Sequence, residues 1–305
     1  MISVIIPTYN RLEKLKKTLD SLMAQTLDDK NFEVILVDDG SEKGVEESLP
    51  DYIKVRLNLK IFRQENKGPA AARNLGVSEA RGEIIFFCGD DTLLCPDLLA
   101  RHLKTHQKKK DVAVLGLTLW EEDGRVTDFM RYLAPAGPQF HYNTIKDQDN
   151  AGFDHFYTSN ISLEKKWLAE EKFDTRFREA AFEDIDLGLR LEKKGLKIVY
   201  DEEALAFHSH YYSEADFYRR MENVGRGFVI LAAKYENDKK VLRRLKIKYA
   251  PFLYFPGLAS FNFLSRLAAS REFIKKINKK LYWFLNICFY YSQGIIGGDK
   301  KNEIA

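Results

Sequence analysis

Acidic residues follow two short apolar runs in the first half of the chain. Asp38 and Asp39 come after the run at 33–37, and Asp90 and Asp91 come after the run at 83–88. If both runs are parallel strands, their carboxyl ends share one edge of a sheet, and the carboxylates converge there. Crowded carboxylates repel one another unless a cation joins them, and oxygen ligands suit Mg²⁺ or Mn²⁺. The alternative is that Asp and Gly simply end each strand in a turn.

A third acidic motif, Glu183-Asp184-x-Asp186, opens a stretch with helical periodicity. A carboxylate within hydrogen-bond reach of an acceptor hydroxyl can remove its proton, so this motif is a candidate general base. The alternative is ordinary placement of acids at the amino end of a helix. His208 and His210 follow a further strand-like segment and favour the functional interpretation.

Another histidine pair, His102 and His106, lies four residues apart on a predicted helix. It lacks the glutamate of the H-E-x-x-H zinc motif, and we predict that both histidines are surface residues.

The glycine-rich loops of common nucleotide-binding folds are absent: the sequence has neither G-x-x-x-x-G-K-[ST] nor G-x-G-x-x-G. Instead, small residues run from Gly68 to Gly76 and include Arg73, within the first turns of a predicted helix. The amino end of a helix favours anions, which makes Arg73 a candidate phosphate ligand. The alternative is that the small residues only allow close packing of this helix on a sheet.

The elements that must position these residues alternate between strands and helices. Apolar runs at 3–7, 33–37, 59–63 and 83–88 predict strands, and apolar spacing at 12–23 and 69–80 predicts helices. This alternation predicts an α/β fold with a mostly parallel sheet that is covered on both faces. Further on, the pattern predicts a helix at 96–107, a strand at 112–120, a lid-like loop at 131–157, a helix at 182–194 and a strand at 197–200.

Composition excludes several classes of protein. The chain has 305 residues, of which 45% are hydrophobic and 30% charged, as in a globular protein. Its three cysteines are too few and too scattered for a disulfide framework or a zinc site, and we expect reduced thiols in the cytoplasm. The first seven residues have no features of a secretory signal and predict a strand.

The C-terminal region is basic and rich in aromatic residues. Residues 239–305 contain 14 Lys or Arg against three Asp or Glu, with uncharged stretches at 249–265 and 281–298. Aromatic residues beside lysine clusters are typical of a membrane interface, so this region predicts peripheral membrane attachment. Packing on the catalytic domain or an oligomer interface is the alternative. No nucleic-acid-binding motif is present.

Taken together, the motifs resemble those of the family 2 glycosyltransferases, which have the GT-A fold. The resemblance covers residues 1–215 and rests on Val4-Ile5-Ile6-Pro7-Thr8-Tyr9-Asn10-Arg11, Val37 to Ser41, Gly68 to Gly76, Asp90-Asp91, and Glu183 to Leu191. It implies a catalytic domain at 1–215, with a donor half at about 1–95 and an acceptor half at about 96–215. A helical region at 216–305 would follow.

The resemblance also implies roles for individual residues on the donor side. Pro7, Thr8 and Tyr9 would line the nucleotide base and ribose. Asp39 would accept a hydrogen bond from the base, and Arg73 would help to hold the nucleotide.

At the reaction centre, the resemblance makes Asp91 a metal ligand and places Asp90 nearer the ribose. His208 would add a metal or diphosphate contact. Asp184 would be the catalytic base, and Glu183 would orient it or the acceptor. One departure from the family pattern is Gly89, since many members have a further acid before the Asp pair.

The implied activity is metal-dependent, inverting transfer of a sugar from a nucleoside-diphosphate sugar, with UDP favoured and Mn²⁺ or Mg²⁺ as cofactor. The acceptor would be a hydroxyl of a glycan or lipid-linked molecule, in cell-surface polysaccharide or glycolipid assembly at the inner face of the cytoplasmic membrane. Two alternatives are a nucleotidyltransferase that makes sugar nucleotides and a non-catalytic nucleotide-binding scaffold of the same fold.

Overall fold

The computed structural model describes residues 1–249 and 272–302. Within these ranges the strands are β1 (Ile2–Thr8), β2 (Phe32–Asp38), β3 (Leu59–Arg63), β4 (Ile84–Cys88), β5 (Thr92–Leu94), β6 (Val112–Trp120), β7 (Asn160–Glu164) and β8 (Lys197–His208). The four strands predicted in the first half are therefore present, with ends that differ by at most one residue.

The described helices lie between the strands and after them in the sequence. They are α1 (Leu12–Met23), α2 (Val45–Ser48), α3 (Asp51–Arg56), α4 (Pro69–Glu79), α5 (Leu98–Lys108), α6 (Asp128–Leu133), α7 (Lys166–Glu170), α8 (Glu183–Lys193), α9 (Glu214–Lys234), α10 (Lys239–Tyr249), α11 (Glu272–Ile277) and α12 (Lys279–Asn302). The chain divides into two compact units, one of residues 1–178 and 183–211 and one of residues 179–182 and 212–305.

All eight strands form one sheet in the order β3-β2-β1-β4-β7-β6-β8-β5. The pairs β1–β2, β2–β3, β1–β4 and β6–β8 are parallel, and the three pairs β4–β7, β6–β7 and β5–β8 are antiparallel. The predicted α/β fold with a mostly parallel sheet is confirmed. The chain leaves β1 toward β2 on one side and returns to its other side with β4, which places a topological switch point at the carboxyl ends of β1 and β4.

Apolar side chains explain why these elements assemble. Val4 and Ile6 on β1 belong to one buried cluster with Leu15, Leu19 and Leu22 of α1. Leucines at this spacing lie on one face of a helix, and that face covers the sheet. Each fully buried side chain of this size stabilises the fold by about 1.5–3 kcal/mol relative to exposure. The ends of β1 and β4 are thereby fixed next to the start of α1.

Two sequence predictions differ from the structure in the second half of this unit. The strand predicted at 197–200 continues through His208, because a register shift at Gly116/Leu117 lets β8 bulge and pair again with β6. The stretch predicted as a loop at 131–157 contains the end of α6 and two short 3₁₀ turns, at Tyr142–Thr144 and Phe153–His155.

The prediction that His102 and His106 are surface residues was wrong. Both side chains are buried under α5, with exposed fractions of 0% and 3%. His102 Nδ1 and His106 Nε2 both lie within hydrogen-bond distance of Ser162 Oγ, at 2.7 and 2.8 Å, and His102 Nε2 lies 3.1 Å from Asn160 Oδ1. Polar partners on β7 therefore replace the water that these histidines would otherwise bind.

In the second unit, α9 and α12 pack against each other. Gly225 and Gly294 allow the close approach, since a Cβ on Gly225 would meet the main-chain oxygen of Tyr291 and a Cβ on Gly294 would meet that of Glu222. The uncharged run at 281–298 lies within α12, and its Trp283 is buried. Most of the other run, at 249–265, lies outside the described residues. Among the helices described, none is both long and apolar enough to cross a bilayer.

Candidate active site

The ends of β1 and β4 bring a hydroxyl and a carboxylate together. Thr8 Oγ1 donates a hydrogen bond to Asp90 Oδ2 at 2.8 Å, and both side chains are buried. The contact follows from the parallel pairing of β1 with β4, which places residues 82 positions apart in the sequence at one sheet edge. At this edge the contact joins Thr8 of β1 to Asp90 after β4, whereas the sequence predicted that the acids after β2 converge with those after β4. Pro7 precedes Thr8 on the same strand, and Tyr9 beyond the strand is 46% exposed.

Asp91 is held by two imidazoles from the end of β8. His208 Nε2 lies 3.0 Å from Asp91 Oδ1, and His210 Nδ1 lies 3.0 Å from Asp91 Oδ2. The antiparallel register of β5 with β8 places Thr92 directly opposite His208, which explains the contact with the neighbouring Asp91. The structure thus joins the predicted residues Asp90, Asp91 and His208 in one cluster.

The two carboxyl groups of this cluster have different proton affinities. Burial, and then the negative charge of Asp91, raise the pKa of Asp90 to about 6. Burial also works against the charged form of Asp91, but His208, His210 and Arg11 outweigh it and hold the pKa of Asp91 well below its usual range. Asp91 is therefore the permanent anion of the pair.

Two cations from α1 complete the cluster. Arg11 Nη1 lies 3.3 Å from Asp90 Oδ1 and 3.2 Å from Asp91 Oδ2. Lys14 Nζ lies 2.9 Å from His210 Nδ1, and burial lowers the pKa of Lys14. The sequence predictions did not include Arg11, Lys14 or His210 among the site residues. One signal was available, since cations in the first turn of a helix oppose its dipole and need a local anion.

The predicted donor residue Asp39 fixes the loop that leads into α4. Its Oδ1 accepts hydrogen bonds from Gln64 Nε2 at 2.6 Å and from the Lys67 N–H at 2.9 Å, and its Oδ2 accepts from the Gly68 N–H at 2.9 Å. Gly68 has φ +88°, and a Cβ there would meet the main-chain oxygen of Arg178. Asp39 therefore holds the start of α4 in place.

Arg73 of α4 reaches the acidic motif at the start of α8. Its Nη1 donates to Glu183 Oε1 at 2.8 Å, and the side chains are only 9% and 3% exposed. Its guanidinium also lies over the ring of Phe173, 5.5 Å from the ring centre. Within the described residues, Arg73 Nε and Glu183 Oε2 are buried without a hydrogen-bond partner. Unpaired buried groups of this kind are costly and mark a position where a ligand can complete the bonding.

The three acids of the α8 motif have three different environments. Glu183 pairs with Arg73, and Asp186 pairs with Arg190, whose Nε lies 3.0 Å from Asp186 Oδ2. Asp184 has no ion pair among the described residues and accepts a hydrogen bond from the Ile185 N–H at 2.8 Å. Burial, and then the charge of Glu183, raise the pKa of Asp184 to about 7. A carboxyl group with this pKa can accept a proton at neutral pH.

The donors near Asp91 fit a divalent cation by their chemistry. Carboxylate oxygens and imidazole nitrogens are ligands that suit Mn²⁺. His208 Nδ1 is buried and makes no hydrogen bond within the part of the chain described. In residues 1–249 and 272–302 no three His, Cys, Asp or Glu side chains form a ready ligand cluster. Arg11 Nη1 instead donates to Asp91 Oδ2, and one imidazole nitrogen lies 3.0 Å from each Asp91 oxygen.

A cleft of about 340 Å³ is lined by residues of β6 and β8 and of the 3₁₀ turn at Tyr142. Tyr142 and Tyr200 line it and stack on each other, with ring centres 5.7 Å apart. The Phe140 ring contacts the rings of Tyr142 and His208, with distances between ring centres of 5.6 and 6.2 Å. Phe140 therefore contacts both a residue that lines this cleft and a residue of the Asp91 cluster.

Comparison with known proteins gives a consistent family assignment. Residues 3–170 match the model of the family described as "Glycosyl transferase family 2". The chain is 28% identical over 285 residues to the uncharacterized glycosyltransferase YfnE of Bacillus subtilis, which covers 78% of this chain and 71% of YfnE. It is 30% identical over 210 residues to the amylovoran biosynthesis glycosyltransferase AmsB of Erwinia amylovora, covering 67% of this chain and 68% of AmsB. Other curated relatives are longer, and the chain spans 17% of an uncharacterized glycosyltransferase of Rickettsia conorii.

Solved structures share the fold. The mannosyltransferase PcManGT of Pyrobaculum calidifontis, in complex with GDP-Man and Mn²⁺, aligns with a TM-score of 0.66 at 18% identity over 99% of this chain and 86% of that one. TarS of S. aureus, in complex with UDP, aligns with a TM-score of 0.58 at 17% identity over 98% and 91% of the two chains. Both are GT-A structures, and the GT-A expectation is confirmed.

Proposed function

The chain belongs to glycosyl transferase family 2, and we propose that it moves a sugar from a nucleoside-diphosphate sugar to an acceptor hydroxyl with inversion at the anomeric carbon. The observation that carries this proposal is the pairing of Arg73 with Glu183 at 2.8 Å. It connects the nucleotide side of the fold to the helix that bears Asp184. A binding site for the sugar donor and a residue that can accept a proton would thereby lie within one unit of the chain.

On the donor side, the base and ribose are bordered by Pro7, Thr8 and Tyr9. Asp39 fixes residues 64–68 and accepts a hydrogen bond from the base. Arg73 holds the nucleotide through its unpaired Nε. We favour a UDP-sugar. TarS with UDP and PcManGT with GDP-Man show that the same fold accepts different nucleotides, so the base itself is for experiment to decide.

At the diphosphate, Asp91 and His208 are the proposed ligands of Mn²⁺ or Mg²⁺, and Asp90 lies on the ribose side through its bond from Thr8. When bound, the cation acts as a Lewis acid that neutralises charge on the leaving diphosphate. The low pKa of Asp91 keeps this ligand ionised throughout the physiological range.

Asp184 is the proposed catalytic base. Its pKa of about 7 allows it to take the proton of the acceptor hydroxyl as the oxygen attacks the anomeric carbon. Attack from the face opposite the leaving diphosphate inverts that carbon. Glu183 positions Asp184 from the preceding residue, because Arg73 fixes its carboxylate.

We propose that the acceptor is a growing cell-surface polysaccharide or a lipid-linked glycan, in line with the amylovoran biosynthesis role in the name of AmsB. Residues 239–305 would bring the enzyme to anionic lipids at the inner face of the cytoplasmic membrane. The exposed cations Lys239, Lys240 and Arg243 of α10 support this proposal. Family membership argues against the nucleotidyltransferase alternative, and the retained Asp184 argues against a non-catalytic scaffold.

Thermal unfolding with UDP, GDP, dTDP and CMP, each with and without Mn²⁺, tests the donor site. A ligand at 100 times its Kd should add about 2.7 kcal/mol to the free energy of unfolding. We expect one nucleoside diphosphate to stabilise the protein only with Mn²⁺, and the variant Asp91→Ala to lose that stabilisation. Equal stabilisation of Asp91→Ala would contradict the metal assignment. The absence of any shift in the wild-type protein would contradict the donor site.

A further inference from the structure

Arg11 lies where the two carboxylates of the Asp90–Asp91 pair meet. A single nitrogen, Nη1, is 3.3 Å from Asp90 Oδ1 and 3.2 Å from Asp91 Oδ2. Arg11 is the N-cap residue of α1, where the positive end of the helix dipole disfavours a cation. The attraction of the acidic pair therefore holds the guanidinium against the local field of its own helix.

Every oxygen of this acidic pair accepts from the protein. Asp90 Oδ2 accepts from Thr8, and the two oxygens of Asp91 face His208 and His210. The donors differ in exposure: the Arg11 side chain is 45% exposed, whereas those of His208 and His210 are 12% and 13% exposed. Arg11 is thus the donor that can leave without disturbing the packing of β8.

We propose that Arg11 is a displaceable counter-ion of Asp90 and Asp91. In the absence of metal it neutralises these carboxylates; when a divalent cation replaces it there, Arg11 binds the diphosphate. The proposal rests on the proposed function of the site. A guanidinium suits both positions, because it forms strong charge-assisted hydrogen bonds to carboxylate and to phosphate.

The exchange has a thermodynamic consequence. In the absence of nucleotide, Arg11 competes with Mn²⁺ for the same carboxylate oxygens, so Mn²⁺ alone binds weakly. With UDP or GDP present, Arg11 can bind phosphate oxygens when it leaves the carboxylates. Its competition then no longer lowers the affinity for Mn²⁺. Mn²⁺ and the nucleotide therefore bind cooperatively, and by linkage each raises the affinity for the other by the same factor.

The test is the affinity for Mn²⁺ alone, measured from the signal of free Mn²⁺ in electron paramagnetic resonance, for the wild-type protein and Arg11→Met. We expect Arg11→Met to bind Mn²⁺ about tenfold more tightly, a change of about 1.4 kcal/mol. Lys16→Met is the matched control, because Lys16 lies on α1 and, within the described residues, pairs with the exposed Glu13. It should bind Mn²⁺ as the wild-type protein does.

Repeating the titration with saturating UDP or GDP measures the cooperativity. We expect either nucleotide to raise the affinity of the wild-type protein for Mn²⁺ at least about tenfold, and to raise that of Arg11→Met much less. Arg11→Lys keeps the charge but not the planar fork, and should retain weak binding of Mn²⁺ alone. If Arg11→Met binds Mn²⁺ alone with wild-type affinity, the counter-ion proposal fails while the proposed function stands. If the wild-type protein fails to bind Mn²⁺ both in the presence of UDP and in the presence of GDP, the proposed function itself fails.

Discussion

Arg73 and Glu183 form a buried ion pair at 2.8 Å between residues 110 positions apart in the sequence. The pair joins α4, which follows the Asp39 loop, to the first residue of α8, which carries Asp184. In the proposed mechanism, this contact links the nucleotide-binding residue Arg73 to the helix that carries the proposed base.

The pair predicts a large and asymmetric effect on stability. Arg73→Met leaves the carboxylate of Glu183 buried without its cation and should lower the free energy of unfolding by about 3–5 kcal/mol. The double variant Arg73→Met/Glu183→Met removes both charges and should recover most of this loss. Urea denaturation of the two variants measures the difference. A single variant that loses less than about 1 kcal/mol would show that the pair is not isolated from water.

Replacement of the proposed base should separate binding from transfer. Asp184→Asn keeps the size of the side chain but cannot accept the acceptor proton, so the transfer rate should fall by about 10² to 10⁴. Nucleotide binding, measured by calorimetry with Mn²⁺, should stay within about twofold of wild type, since the base does not contact the donor in this proposal. Transfer by Asp184→Asn at the wild-type rate would disprove the assignment.

The raised pKa of Asp184 predicts the shape of the pH profile. Below a pKa of about 7 the carboxyl group is protonated and cannot act as a base, so kcat/KM should rise about tenfold per pH unit up to pH 7 and then level off. A rate profile from pH 5 to 9, at saturating Mn²⁺, measures this. A profile that is already flat from pH 5 would place the base at another residue.

The buried histidines predict acid sensitivity of the fold. Burial lowers the pKa of His102 to about 3 and that of His106 to about 4, below the value of 6.5 expected in the unfolded chain. The folded state keeps both rings neutral. Their contribution to the free energy of unfolding is therefore complete above pH 6.5 and is lost as the pH falls below that value. The loss should be about 1.4 kcal/mol per pH unit for each ring. Urea denaturation at pH 7 and pH 5 measures it, and His102→Asn/His106→Asn should show a flatter dependence.

The proposed membrane contact through α10 can be tested at three of its cations. Replacing Lys239, Lys240 and Arg243 by Gln should weaken binding to vesicles with anionic phosphatidylglycerol by about a hundredfold, at ~1 kcal/mol per cation. Co-sedimentation at low salt measures the binding. A control variant with Gln at three exposed lysines of the first unit, Lys104, Lys108 and Lys110, should bind as wild type does. If both triple variants bind equally, the membrane contact is not made through α10.

The sequence alone was sufficient for the strand ends but not for every residue around them. Asp90 and Asp91 could be placed because parallel strands end at a common edge, a rule that needs no side-chain detail. The metal or diphosphate role of His208 came from the family resemblance, and the strand predicted at 197–200 stopped before the charged residues Asp201-Glu202-Glu203, through which β8 continues. The bulge that allows these charges within a strand depends on pairing with β6, whose paired residues lie 85 to 88 positions earlier in the sequence.

Two further errors have the same origin in long-range contacts. The burial of His102 depends on Ser162 and Asn160, which are 60 and 58 positions away and supply its hydrogen bonds. Arg11 was visible as part of a motif, but its partner Asp90 is 79 positions away. Local pattern shows which residue types are present, whereas the partners of a polar group become known only when the strands are in register.

Gly225 and Gly294 give the α9–α12 pair a single permitted alignment. Sliding either helix by one residue would bring a side chain against the main chain of its partner, at a point where only a hydrogen atom fits. The two helices can therefore pack closely only in the register that places Gly225 and Gly294 at the contact. Even Gly225→Ala, the smallest possible addition, should force the pair apart rather than let it readjust.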